Sequence, residues 1–168
     1  SFYFKRIVLV DVLLLAGLYT IRIVAGANAI SVTTSSWLLA FSMFIFLSLA
    51  LVKRCTELRA IEQLGRTAMK GRDYLVEDYP LLSAMGITSG YLSILVMALY
   101  IDSPFGRGNY QHPMLLWFLC PLLAYWISRV WLKTSRGKMH DDPLIYSLKD
   151  RGSWLIFLMM TGIVLVAI

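Results

Sequence analysis

The stretch Ser36–Arg54, SWLLAFSMFIFLSLALVKR, decides how the rest of the chain reads. Ser36–Val52 carries no charged side chain, and two cations, Lys53 and Arg54, close the run. A helix crossing the hydrocarbon core needs about 20 apolar residues, within a range of roughly 17–25. The block is long enough to span, and it is apolar all round instead of along one stripe. Four further blocks of the same kind follow the pattern outward: Ile7–Gly26, Leu81–Ile101, Met114–Leu132 and Trp154–Ile168. The expectation is an all-α polytopic bundle with five transmembrane spans.

Composition agrees. With 58% hydrophobic and 15% charged residues over 168 positions, the chain is too apolar for an ordinary soluble domain. A net charge of +6 can signal nucleic-acid binding, but the cations cluster between apolar blocks, where they read as topology signals and as ligands for anionic groups. Of the 16 Lys and Arg, 13 fall in Lys5–Arg6, Lys53–Arg72 and Lys133–Arg151, while Arg107 stands alone on the opposite side and Arg22 and Arg129 lie within spans. The positive-inside rule then places the loops 53–80 and 133–153 in the cytoplasm and the connectors Ala27–Ser35 and Asp102–Pro113 outside. Cys55 sits in a basic loop and Cys120 in an apolar block, so neither a disulfide nor a metal-ligand spacing is expected. Ser1 opens in mid-motif and the last apolar block stops at Ile168, which reads as part of a longer polypeptide.

Local signals refine the loops. Lys53–Leu64 reads as an extension of the second helix, broken by Gly65 and Gly71 ahead of Pro80. Asp142-Pro143 makes an N-cap and N1 pair for a short surface helix from Pro143 to about Arg151. Gly86-x-x-x-Gly90 points to close helix packing.

Three charged groups can carry chemistry. Lys53-Arg54-x-x-Glu57-x-Arg59 puts cations and a carboxylate on one helix end, which suits either an anion clamp or a headgroup anchor with ordinary ion pairs. Arg72-Asp73-Tyr74 with Glu77-Asp78 offers oxygen ligands of the kind Mg²⁺ takes beside substrate phosphates, or simply a solvated loop. Lys5-Arg6 precede a helix bearing Asp11 and Arg22, 11 positions apart and so on one face. Ionisable groups at membrane depth usually face a cavity or a partner, although Arg22 is near enough to the outer end to snorkel. His140-Asp141-Asp142 is a weaker metal candidate, since Asp142 already has a capping role, and Arg129 either snorkels or pairs inside the bundle.

Several stretches together resemble the C-terminal part of UbiA-superfamily membrane prenyltransferases, in the branch containing decaprenyl-phosphate phosphoribosyltransferase. They are Ser1–Arg6, Leu18–Gly26, Ser48–Leu58, Gly71–Tyr74, Ser89–Leu92, Tyr125–Arg129 and Gly137–Pro143. The resemblance implies a nine-helix fold around a central cavity, of which these spans are the fifth to ninth. It also implies two acidic motifs that bind a Mg²⁺–diphosphate on the cytoplasmic side. Lys53-Arg54-x-x-Glu57 stands where many members have paired aspartates, a departure that favours a phosphoribosyl over a simple prenyl diphosphate donor. By the same resemblance Lys5, Arg6, Lys53, Arg54 and Arg72 bind the diphosphate, Glu57, Asp73 and Asp78 hold Mg²⁺, and Asp11 and Arg22 line the cavity. The first acidic motif has no counterpart here, so the resemblance implies that this segment alone is inactive. The implied partners are a polyprenyl lipid, a diphosphate donor and the bilayer, and the implied location is a bacterial inner membrane. The competing expectations are half of a transporter or anion-conducting bundle lined by Asp11 and Arg22, and a scaffold subunit whose charges serve topology alone.

Overall fold

Each apolar block is helical in the computed structural model, which describes residues 8–31, 34–68, 73–139 and 142–168. Seven α-helices occur among the described residues, and no strand. They are α1 (Val10–Ala29), α2 (Ser36–Gln63), α3 (Tyr79–Asp102), α4 (Pro104–Gly108), α5 (Leu119–Ser135), α6 (Pro143–Lys149) and α7 (Arg151–Ala167). Short 3₁₀ turns, Val76–Asp78 and Pro113–Phe118, lead into α3 and α5.

Local chemistry sets the ends. The Ser35 hydroxyl accepts from the Leu38 N–H at 3.1 Å and starts α2. α2 then runs without a break from its apolar stretch through the charged residues to Gln63, and Gly65 turns the chain at φ +69°. Pro80 stands in the first turn of α3, where its missing N–H costs nothing. Ser103-Pro104 ends α3, and the Ser103 hydroxyl caps α4. Asp150 caps α7 by accepting from the Ser153 N–H at 2.8 Å.

Among the described residues, four elements are long and apolar enough to cross a membrane: Val10–Ala29, Ser36–Gln63, Val76–Asp102 and Pro113–Ser135. The fifth apolar helix, Arg151–Ala167, has 17 residues. At 1.5 Å per residue that is about 25 Å, a few ångströms short of the ~30 Å hydrocarbon core. Leu13, Leu14, Leu18 and Ile21 on α1 and Leu155, Leu158, Leu165 and Val166 on α7 are exposed, an arrangement that suits lipid as the solvent. The chain is a membrane protein built as an α-helical bundle.

α2, α3 and α5 form the core. A Cβ on Gly86 would overlap the Trp131 ring, and one on Gly90 would meet Ile127, so the two glycines bring α3 against both neighbours. The buried Ser48 hydroxyl on α2 donates to the Gly86 carbonyl at 2.7 Å and accepts from the Trp131 indole N–H at 3.1 Å. One buried hydroxyl thus joins three helices. Leu51, Val52, Cys55, Leu58, Leu82 and Val130 belong to the apolar core of the same three helices. Both cysteines, Cys55 and Cys120, are free. The start of α1, the end of α2, the start of α3, the end of α5 and the start of α7 meet at one end of the bundle, where Lys53, Arg54 and the loop after α5 lie. We refer to it as the basic end.

Candidate functional site

At the basic end, Arg54 leaves the inward face of α2 and is almost wholly enclosed, its side chain 4% exposed. It donates to Asp11 of α1, whose side chain is 6% exposed, and to Glu57 one turn along α2, whose side chain is 33% exposed and reaches the mouth of the cluster. The guanidinium lies over the Tyr74 ring, 5.1 Å from its centroid. Tyr74 in turn donates its hydroxyl to the Asp11 carboxylate at 2.6 Å and accepts from the Leu9 N–H at 2.8 Å. Burial first, and then the hydrogen bond to Asp11, pushes the Tyr74 phenol up to about 12, so it stays a donor at any physiological pH. Desolvating an arginine is costly unless its charge is met and its donors are filled. Two carboxylates and an aromatic face meet the charge here.

Lys53, the next residue back, points to another part of the basic end. Its ammonium donates to Asp142 at 2.6 Å and ties α2 to the residue that opens α6. The Asp142 carbonyl accepts from the Tyr146 N–H at 2.8 Å, so Asp142 begins the helix with its backbone and holds Lys53 with its side chain. Beyond it, Asp150 accepts from Arg129 at 3.1 Å and Lys133 at 3.3 Å while capping α7. Burial alone would raise the Asp150 carboxyl; the Ser153 N–H and hydroxyl, Tyr146 and the Arg129 charge outweigh it and hold the group below the usual carboxylate value. Arg59 pairs with Glu62 at 2.7 Å and lies 4.1 Å from the centroid of the Tyr79 ring.

The structure brings Asp11, Arg54 and Glu57 together. Asp11 and Arg22 do not share a surroundings: Asp11 is enclosed with Arg54, whereas Arg22 is exposed three turns further along α1 and packs over the Tyr19 ring, 5.3 Å from its centroid. The helical face is common to both, but only the start of α1 lies beside Arg54 and Tyr74; further along, Tyr19 stacks on Phe46 of α2, 5.3 Å between ring centroids. Asp73 is exposed, and Asp78 accepts from the Leu75 N–H at 2.9 Å, closing the turn ahead of α3. Glu57, Asp73 and Asp78 therefore sit in three different surroundings. Among the described residues no three His, Cys, Asp or Glu side chains are grouped so as to hold a metal ion. The two carboxylates that do meet, Asp11 and Glu57, meet on a guanidinium. These residues fit a cation-centred cluster and do not fit a Mg²⁺ site. Lys5, Arg6, Arg72, His140 and Asp141 lie outside the described residues.

Tyr74 is the member of the cluster that the charge pattern misses. Its signal was present, an aromatic residue that opens the apolar triplet Tyr74-Leu75-Val76 between Asp73 and Glu77-Asp78, where an aromatic ring has little reason to stay in water.

The fold and the site define a helical membrane protein with a buried ion cluster at its basic end. Two curated proteins are similar to it. An uncharacterized protein, y4nM of Sinorhizobium fredii, is 37% identical over 158 residues, covering 93% of this chain and 30% of that protein. The nodulation protein NoeC of Azorhizobium caulinodans is 32% identical over 151 residues, covering 88% of this chain and 48% of its own length. The chain thus spans less than half the length of either relative. No family model matches the chain, and no solved structure matches it.

Proposed function

We propose that the chain is part of a membrane-embedded transferase that uses a diphosphate donor and a polyprenyl substrate, transferring a prenyl or phosphoribosyl group at the cytoplasmic face of a bacterial inner membrane. One feature carries this choice: an arginine enclosed at the end of an apolar bundle, facing inward, with a partly exposed carboxylate at its mouth and a lysine beside it. Ionised groups at such depth are costly and generally serve a ligand or a path. Arg54, held in place by Asp11, Glu57 and Tyr74, supplies a fixed positive charge next to the place where a departing diphosphate would gather negative charge. Lys53, 38% exposed on its side chain, is the cation with room to exchange Asp142 for a phosphate oxygen. The resemblance adds Mg²⁺ to such a reaction, but the described residues form no ligand group for it, and no step is assigned to it here. The whole protein, longer than this chain in the known relatives, would carry the activity.

The test is donor binding by the full-length protein. Lys53→Gln should weaken affinity for a phosphoribosyl or prenyl diphosphate by about ten-fold or more, the size of one lost charge-assisted hydrogen bond, with the thermal midpoint retained. Unchanged affinity in a stable variant removes the site. Anion flux across proteoliposomes, abolished by the same substitution and without any transferase product, would replace the enzyme with an anion-conducting bundle.

A further inference from the structure

We propose that the groove between α3 and α5 at the basic end holds one anionic phospholipid, with its phosphate on Arg59 and Arg136 and an acyl chain along the groove. The site is separate from the Arg54 cluster and does not depend on the transferase assignment. Two cavities meet at Ser135. One, of about 260 Å³, is lined by Arg59, Glu62, Gln63 and Arg136 and forms the mouth. The other, of about 300 Å³, is walled by Tyr79, Tyr91, Ser128, Trp131 and Leu132 and runs down between the helices. On α3, Tyr91 lies 12 residues beyond Tyr79, about 18 Å deeper at 1.5 Å per residue. The groove therefore runs from the interface well into the hydrocarbon core.

Its chemistry changes along that length. The mouth has two guanidiniums against one carboxylate, a net charge of one positive that complements a single phosphate diester. The deeper part is mostly apolar, relieved by the Tyr91–Ser128 hydroxyl pair at 2.9 Å. A free phosphate ion would use the mouth and leave the apolar length empty, whereas an amphiphile fills both. The walls also carry two unmet polar atoms. Arg59 Nε and the Tyr79 hydroxyl are buried with no hydrogen-bond partner among the described residues, where buried polar groups are nearly always paired. Both belong to the stacked Arg59–Tyr79 pair that separates mouth from groove. A phosphate oxygen entering there would accept from both.

Native mass spectrometry of the purified whole protein, with lipids added back, tests this. Phosphatidylglycerol should be retained about ten-fold more tightly than phosphatidylcholine. Arg136→Gln, an exposed position, should remove that preference without lowering the thermal midpoint. Arg59→Gln should do the same, and Ser128→Leu, which fills the groove, should weaken both lipids. Equal retention of the two lipids, or a preference that survives both arginine substitutions, overturns the proposal. So does displacement of the lipid by millimolar inorganic phosphate, which would mark a free-anion site. A polyprenyl phosphate retained in preference to phosphatidylglycerol would overturn it as well, because the groove would then belong to a substrate.

Discussion

Arg54 joins three parts of the chain: α1 through Asp11, its own helix through Glu57, and the loop after α2 through the Tyr74 ring. The Glu57 contact follows from spacing, since residues three apart on a helix are neighbours. The Asp11 contact spans 43 positions and the Tyr74–Asp11 bond 63, and nothing in the local pattern specifies either. They exist because the start of α1 packs against the end of α2, a tertiary fact. Asp78 differs: a carboxylate that the pattern offers as a metal ligand accepts from the Leu75 N–H and closes the turn ahead of α3. Tyr74 offers the sharpest residue-level test. Tyr74→Phe leaves the Leu9 N–H and one Asp11 oxygen without their partner, which should cost about 1–3 kcal/mol in unfolding free energy at neutral pH. The phenol is raised from 10.0 to about 12 in the folded protein, so its contribution is complete below pH 10 and fades as the pH climbs toward 12. Denaturation of both proteins in detergent should therefore show a gap that narrows over that window. A constant gap, or none at pH 7, would mean that the hydroxyl does not hold the loop.

Helices were the most legible level, because a run of apolar residues long enough to span has few alternatives in lipid. α2 runs on to Gln63 through its charged end, and α6 begins at Pro143, directly after Asp142. Two things were not legible. α4 depends on the Ser103 cap within what read as a turn-rich connector, and Pro113–Phe118 winds as 3₁₀ before α5 begins. Close packing of α3 was signalled by Gly86 and Gly90, although its partners were not. Gly86→Ala should cost about 1–3 kcal/mol, because the new methyl meets the Trp131 ring inside a packed core. Gly17→Ala on α1 meets no described atom within 4 Å and should be neutral or gain up to about 1 kcal/mol from helix propensity. Thermal scans of the two variants side by side check the contrast, and equal midpoints would show that the α3–α5 contact is not tight.

At the scale of the whole molecule, orientation rests on charge distribution alone. By the positive-inside rule, the 13 cations of the two basic loops and of the residues before α1 predict that the basic end faces the cytoplasm, against Arg107 on the other side. In intact cells, with Cys55 and Cys120 replaced, a membrane-impermeant thiol reagent should label Ser31→Cys and spare Lys138→Cys. Labelling at position 138 without labelling at 31 would invert the molecule, and would move the ion cluster and the lipid groove to the other face. The Ser48 hydroxyl has a further consequence, for the order of events at the ribosome. Trp131 finds its acceptor on an oxygen that is oriented by the Gly86 carbonyl, so the seat for α5 exists only after α2 and α3 have met. The chain emerges in that order. Chain order thus lets the α2–α3 pair form its contact before α5 is made, so that the Ser48 oxygen is already oriented when the Trp131 indole N–H reaches it.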